Sequence, residues 1–98
     1  MNKQILNIDN FKMTLYSENN VFDNYQHEST VSMLEIMNKC DFSNKRVLDL
    51  GTGTGILSIY AALNNASEII AIDNDINAVE IAEKNMNMNN VNDIVKVQ

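Results

Sequence analysis

From residue 46 onward, three short apolar runs alternate with two stretches of helical periodicity. RVLDL (46–50) is nearly all apolar and rich in branched side chains, which predicts a strand covered on both faces. GILSIYAAL (55–63) is apolar almost all round and predicts a buried helix, ended by Asn64 and Asn65, a residue type that tolerates left-handed dihedrals. EIIAID (68–73) predicts a second buried strand, and DIVKVQ (93–98) a third. Between them INAVEIAEKNMN (76–87) predicts a helix capped by Asp75, with Ala78, Val79, Ala82 and Met86 inward and Glu80 and Lys84 paired outside.

Upstream the signals are weaker. FKMTL (11–15) alternates apolar and polar residues, as a half-buried strand does, and SENN (17–20) reads as a turn. STVSMLEIMNK (29–39) places Val31, Leu34, Met37 and then Cys40 at helical spacing, with a cap expected near Ser29 or Thr30 and a loop over 41–45.

Strand, helix, strand, helix, strand is the pattern of an α/β, Rossmann-like, doubly wound parallel sheet. Right-handed crossovers set the strands in the spatial order third, second, first. Residues 1–21 are then an N-terminal strand and linker segment. Residues 22–98 form a partial domain, the N-terminal half of such a sheet, truncated after its third core strand. The first strand is normally central, so its free apolar edge is expected to invite a partner chain or a second copy.

Composition narrows the partners. A 98-residue chain with 45% hydrophobic and 20% charged residues is that of one small globular domain. Its net charge of -6 argues against direct nucleic-acid binding by this half, since such affinity comes mostly from Lys and Arg on phosphates. The one cysteine, Cys40, allows no internal disulfide and is expected to be a buried small hydrophobe on a helix. MNKQILNIDNFKM carries no secretory pattern and no window is apolar enough for a membrane span, so a cytoplasmic location is expected. No metal is called for, and the six methionines read as core filler.

The chemistry is concentrated in VLDLGTGTG (47–55). In open parallel sheets, ligands sit at the carboxyl end of the strand, over the N-terminus of the next helix. Glycine serves there because a side chain would hold the ligand off the backbone and because some dihedrals need positive φ. A dinucleotide fingerprint is GxGxxG, but position 56 is Ile56 and the third glycine is Gly55, giving GxGxG. The turn in this context is similar to the S-adenosylmethionine site of class I methyltransferases. The resemblance implies that cofactor, which has no phosphate. The helix N-terminus would then face its methionine carboxylate, Asp49 would complement its ammonium, and Asp73, at the end of the second strand, would accept the ribose hydroxyls. A glycine-rich turn with a capping Asp in an unrelated α/β domain is the structural alternative.

The upstream segment narrows the family. NVFDNYQHEST (20–30), the helix after it and VLDLGTGTGILSI together resemble the bacterial lysine methyltransferases that modify ribosomal large-subunit protein eleven. That family carries a phenylalanine, a glycine-rich turn and His-x-Thr-Thr before the same helix. The residues here are Phe22, Asp23-Asn24-Tyr25 and His27-Glu28-Ser29-Thr30, so DNY departs from the glycine turn. The resemblance implies that Thr30, Gly51 and Asp73 contact the cofactor, with Gly53 and Gly55 in the same turn and Asn74 along the adenine. His27 reads either as a loop histidine at the helix start or as a neighbour of the cofactor. The implied activity is methylation of a ribosomal-protein amine. Methylation of ribosomal RNA or a small molecule, and a non-catalytic module completed by a partner chain, are the alternatives. The residue that orients the acceptor lies after a fourth strand in these families. No catalytic residue is therefore named, and the 98 residues alone are expected to be inactive or nearly so.

Overall fold

The computed structural model describes residues 2–18 and 28–98. Phe22, Tyr25 and His27 lie outside the described residues. Strands β1 (Asn2–Ile8) and β2 (Phe11–Ser17) form an antiparallel hairpin. Its two-residue turn, Asp9-Asn10, places Asp9 at φ 54, a left-handed conformation that Asp tolerates better than most residues. β2 alternates as predicted and runs two residues further, burying Met13, Leu15 and Ser17. The sequence reading missed β1. Of its apolar residues only Leu6 is buried while the adjacent Ile5 is exposed, so one face is poor in hydrophobic signal.

Helix α1 (Glu28–Met37) begins ahead of both predicted caps, and Thr30 lies inside it, buried. Its inward stripe is Thr30, Leu34 and the half-buried Met37, a spacing of four then three, whereas Val31 is 41% exposed. The predicted stripe was thus displaced by one residue at its start. It also fails at its end: after Met37 the chain tightens into turns, with the Lys39 amide on the Ile36 carbonyl and that of Cys40 on Met37. Cys40 therefore lies beyond the helix and is exposed, not a buried helical hydrophobe.

Strands β3 (Arg46–Leu50), β4 (Glu68–Ile72) and β5 (Val95–Val97) form a parallel sheet in the order β3-β4-β5, as the crossover rule predicts. The register sets Asp49 beside Ala71 and Leu50 beside Ile72. Helices α2 (Ile56–Leu63) and α3 (Ile76–Met88) are the crossovers. The shared core joins Ile56, Ile59 and Tyr60 of α2 to Ile69, Ala71 and Val95 of the sheet, Ala82 and Met86 of α3, and Met13 and Leu15 of the hairpin. Burying each large apolar side chain contributes roughly 1.5–3 kcal/mol, so this cluster is the main source of stability.

Both crossover helices stop by the same device. Asn65 (φ 73) follows α2 and Asn90 (φ 58) follows α3; the next amides, of Ala66 and Val91, reach back to the carbonyls of Ala61 and Met86. This is a Schellman ending closed by a buried apolar residue, with Asn replacing the usual glycine.

One prediction about the sheet is corrected. β3 was expected to be covered on both faces, but among the described residues the helices cover only the face of Val47 and Asp49. On the other face Leu48 and Leu50 are 60% and 71% exposed. Only one side of this apolar strand is packed among the described residues.

Candidate functional site

The site is built at the carboxyl ends of β3 and β4. The amides of Gly51 and Thr52 both donate to the Ile72 carbonyl, at 2.8 and 2.9 Å, which folds the turn after β3 over the end of β4. All three glycines of the turn have positive φ: 73 at Gly51, 56 at Gly53 and 88 at Gly55. Their surroundings nonetheless differ. A side chain on Gly51 would meet nothing within 4 Å, so its front is open. A Cβ on Gly55 would lie 2.4 Å from Met86 Cε, so that glycine lets α3 pack against the start of α2. Gly55 is buried and serves packing, whereas Gly51 is exposed and faces open space.

Two carboxylates frame the turn. Asp49 Oδ2 accepts from Thr52 Oγ1 at 2.8 Å and from Ser58 Oγ at 2.7 Å. The end of β3 is thereby tied both to its own turn and to the first turns of α2. Both hydroxyls go to Oδ2, which leaves Oδ1 to meet a cationic or amine group. Asp73 Oδ2 accepts from the Gly53 amide and Oδ1 from the Asp75 amide, each at 3.0 Å. Its orientation is therefore fixed from two sides, and each oxygen retains a lone pair for a ligand hydroxyl. Asp75 takes the Asn77 amide at 2.9 Å, the predicted cap of α3. Asn74 stands exposed between them.

Helix α2 starts at Gly55 with no side-chain cap, so the orphan amides and positive end of its dipole face the turn unaided. A carboxylate suits that end. The pair Asp49 and Asp73 suits hydroxyls and positive charge and disfavours a pyrophosphate. The residues present thus fit a phosphate-free, cationic nucleoside that carries its own carboxylate. The turn brings Asp49, Gly51, Gly53 and Asp73 into one hydrogen-bonded assembly. Thr30 lies on α1, which packs against α2, and its hydroxyl is part of a buried residue.

Two features escaped the sequence. Asn85 is wholly buried in α3, where its carboxamide reaches the Thr54 carbonyl at 2.8 Å. The signal was present: residue 85 follows Ala82 by three and Ile81 by four, an inward position. Thr54 Oγ1, by contrast, is buried without a hydrogen-bond partner among the described residues. No group of three or more potential metal ligands occurs among the described residues, and no helix there is long and apolar enough to cross a membrane.

Comparison with known proteins bears on the fold and the family. A profile of the ribosomal protein L11 methyltransferase (PrmA) family matches residues 21–98. The ribosomal protein L11 methyltransferase of Prochlorococcus marinus (strain MIT 9215) is 41% identical over 95 residues, covering 92% of this chain and 28% of its own length. Among solved structures, the ribosomal protein L11 methylase of Lactobacillus delbrueckii subsp. bulgaricus superposes with a TM-score of 0.66 at 31% identity, over 80% of this chain and 39% of that one. The PRMT1 enzyme-prozyme complex of Trypanosoma brucei with AdoHcy gives a TM-score of 0.55 at 36% identity, over 57% of this chain and 17% of that one. The chain thus spans little more than a quarter of the curated relative's length, with 28% of it covered. The fold is the N-terminal half of a Rossmann-like class I methyltransferase domain, and the chain belongs to the ribosomal protein L11 methyltransferase family.

Proposed function

We propose that this chain is the cofactor-binding half of an S-adenosylmethionine-dependent methyltransferase whose acceptor is an amine of a ribosomal protein. The observation that carries the reading is the pinned glycine turn, with Gly51 open in front and the Asp49 and Asp73 carboxylates on either side. The cofactor supplies a methyl group already activated on sulfonium. The residues of this chain bind and orient: Asp73 takes the ribose hydroxyls, the N-terminus of α2 takes the carboxylate, Asp49 the ammonium, and Asn74 borders the base. Thr30, buried on α1, is assigned to the cofactor with them on the family's pattern.

The acceptor assignment is supported by the family and by the net charge of -6, which disfavours RNA as the surface bound by this half. A ribosomal-protein acceptor is in keeping with a cytoplasmic location. We assign residues 22–98 to the cofactor domain and residues 1–21 to a segment ahead of it. The free edge of β3 and the apolar face of Leu48 and Leu50 are where further strands, from the same or a partner chain, would complete the sheet. The isolated 98 residues are expected to bind cofactor without transferring the methyl. Calorimetric titration with S-adenosylhomocysteine tests the cofactor half of this reading. Transfer of labelled methyl to ribosomal protein L11 rather than ribosomal RNA, by the chain together with the strands that complete its sheet, tests the acceptor half.

A further inference from the structure

Asparagine inside a helix loses to better helix formers, and a buried carboxamide costs free energy unless every polar atom is paired. Asn85 is completely buried, and it is paired throughout. Its Nδ2 donates to the Tyr16 carbonyl at 3.0 Å and to the Thr54 carbonyl at 2.8 Å, while Oδ1 accepts the Tyr16 amide at 2.7 Å. One side chain therefore joins α3, the N-terminal hairpin and the glycine turn.

Asn89 provides the internal comparison. One helical turn further on, its Oδ1 accepts the Thr14 amide at 2.8 Å and its Nδ2 donates to the Thr14 carbonyl at 2.6 Å. Four helical residues advance about 6 Å and two strand residues about 6.8 Å, so the two asparagines meet alternate residues of the open edge of β2. Both close that edge. Only Asn85 also holds the turn.

We infer that Asn85 is a positioning residue for the cofactor: by gripping the Thr54 carbonyl it fixes the glycine turn, and through Tyr16 it makes that setting depend on the docked hairpin. This rests on the cofactor reading above. With Asp73 holding the Gly53 amide on one side and Asn85 the Thr54 carbonyl on the other, the turn is restrained at adjacent residues from two elements. Loss of Asn85 frees one side of the turn and takes their side-chain partner from the Thr54 carbonyl and from both the amide and the carbonyl of Tyr16.

The test compares Asn85→Ala with Asn89→Ala by calorimetric titration with S-adenosylhomocysteine, below the melting temperature of both. A purely structural role would leave the affinities of the two folded variants equal, whatever their stabilities. The inference predicts binding about tenfold weaker for Asn85→Ala and close to wild type for Asn89→Ala, the difference reflecting one hydrogen bond to the turn. Equal affinities for the two variants overturn it. Absence of binding by the wild-type chain overturns the cofactor reading itself and is a separate result. Should Asn85→Ala not fold, amide exchange in the wild-type chain decides. Saturating S-adenosylhomocysteine is expected to slow exchange of the Tyr16 amide several-fold more than that of Thr14, and equal slowing overturns the proposal.

Discussion

The amide of Gly53 donates to Oδ2 of Asp73 at 3.0 Å, closing 20 residues of sequence into one site. The carboxylate placed to read a ribose is thus also the brace of the turn that receives the rest of the ligand. Asp73→Asn keeps an acceptor for one amide but loses the charge. It is expected to remain folded, at a cost of about 1–2 kcal/mol, because a hydrogen bond to a charged group is worth more than one to a neutral group. S-adenosylhomocysteine affinity should fall by more than that stability change accounts for, as titration beside a chemical denaturation curve would reveal.

The glycines at the two ends of the turn should behave differently. Gly51→Ala meets no neighbour but needs a left-handed backbone, so a stability loss of about 1–2 kcal/mol is expected, with an additional loss of cofactor binding because the methyl occupies the open front. Gly55→Ala needs the same left-handed backbone and also makes the flexible end of Met86 move aside, so a loss of about 1–3 kcal/mol is expected. A double-mutant cycle with Met86→Ala should return part of that loss, and strict additivity would contradict the packing role of Gly55.

Thr54 carries a buried hydroxyl without a hydrogen-bond partner among the described residues. Thr54→Val preserves the shape and removes the unpaired group, so stability should be unchanged or rise by about 1 kcal/mol. A loss of that size in denaturation would mean that the hydroxyl is used in the folded chain.

Tyr60 joins the hairpin turn to α1 and α2. Its single hydroxyl proton goes to Asp9 Oδ2, Asn38 Oδ1 lies 3.3 Å from the same oxygen, and its ring meets Phe11 edge-on. Burial, with the hydrogen bond to Asp9 next, pushes its pKa up to about 12. A folded pKa above the unfolded value of about 10 contributes stability that is complete below pH 10 and is lost as pH rises through about 12. Tyr60→Phe is therefore expected to be less stable at neutral pH by about 1 kcal/mol, through the lost hydrogen bond to Asp9, and to show a flatter alkaline decline in melting temperature.

Much of this was legible because the informative signals are local. β3, α2, β4 and α3 fall within about a residue of their predicted bounds, since a continuous apolar run and a 3.6-residue period each report burial directly. That the glycine turn lies with Asp49 and Asp73 at the carboxyl ends of β3 and β4 was legible from their places after two apolar runs. What escaped depends on contacts distant in sequence. β1 is a strand because β2 pairs with it, not because its own residues alternate. The inward face of α1 is set by Thr30 and not Val31, through packing that hydrophobicity ranks wrongly. Asn85 reads as a polar interruption until Tyr16 and Thr54 lie beside it. Gly51 and Gly55 read alike until Met86 distinguishes them.

The glycine turn and Asp73 are expected to form a working S-adenosylmethionine site within these 98 residues. Thermal melting followed by circular dichroism, with and without S-adenosylhomocysteine, on the wild-type chain and on Asp73→Ala, tests it most directly. At about 100 times its dissociation constant the ligand should stabilise the wild-type fold by about 2.7 kcal/mol and leave the variant's melt unmoved. A cooperative wild-type melt that does not shift with this ligand, or that shifts equally in Asp73→Ala, would contradict the account.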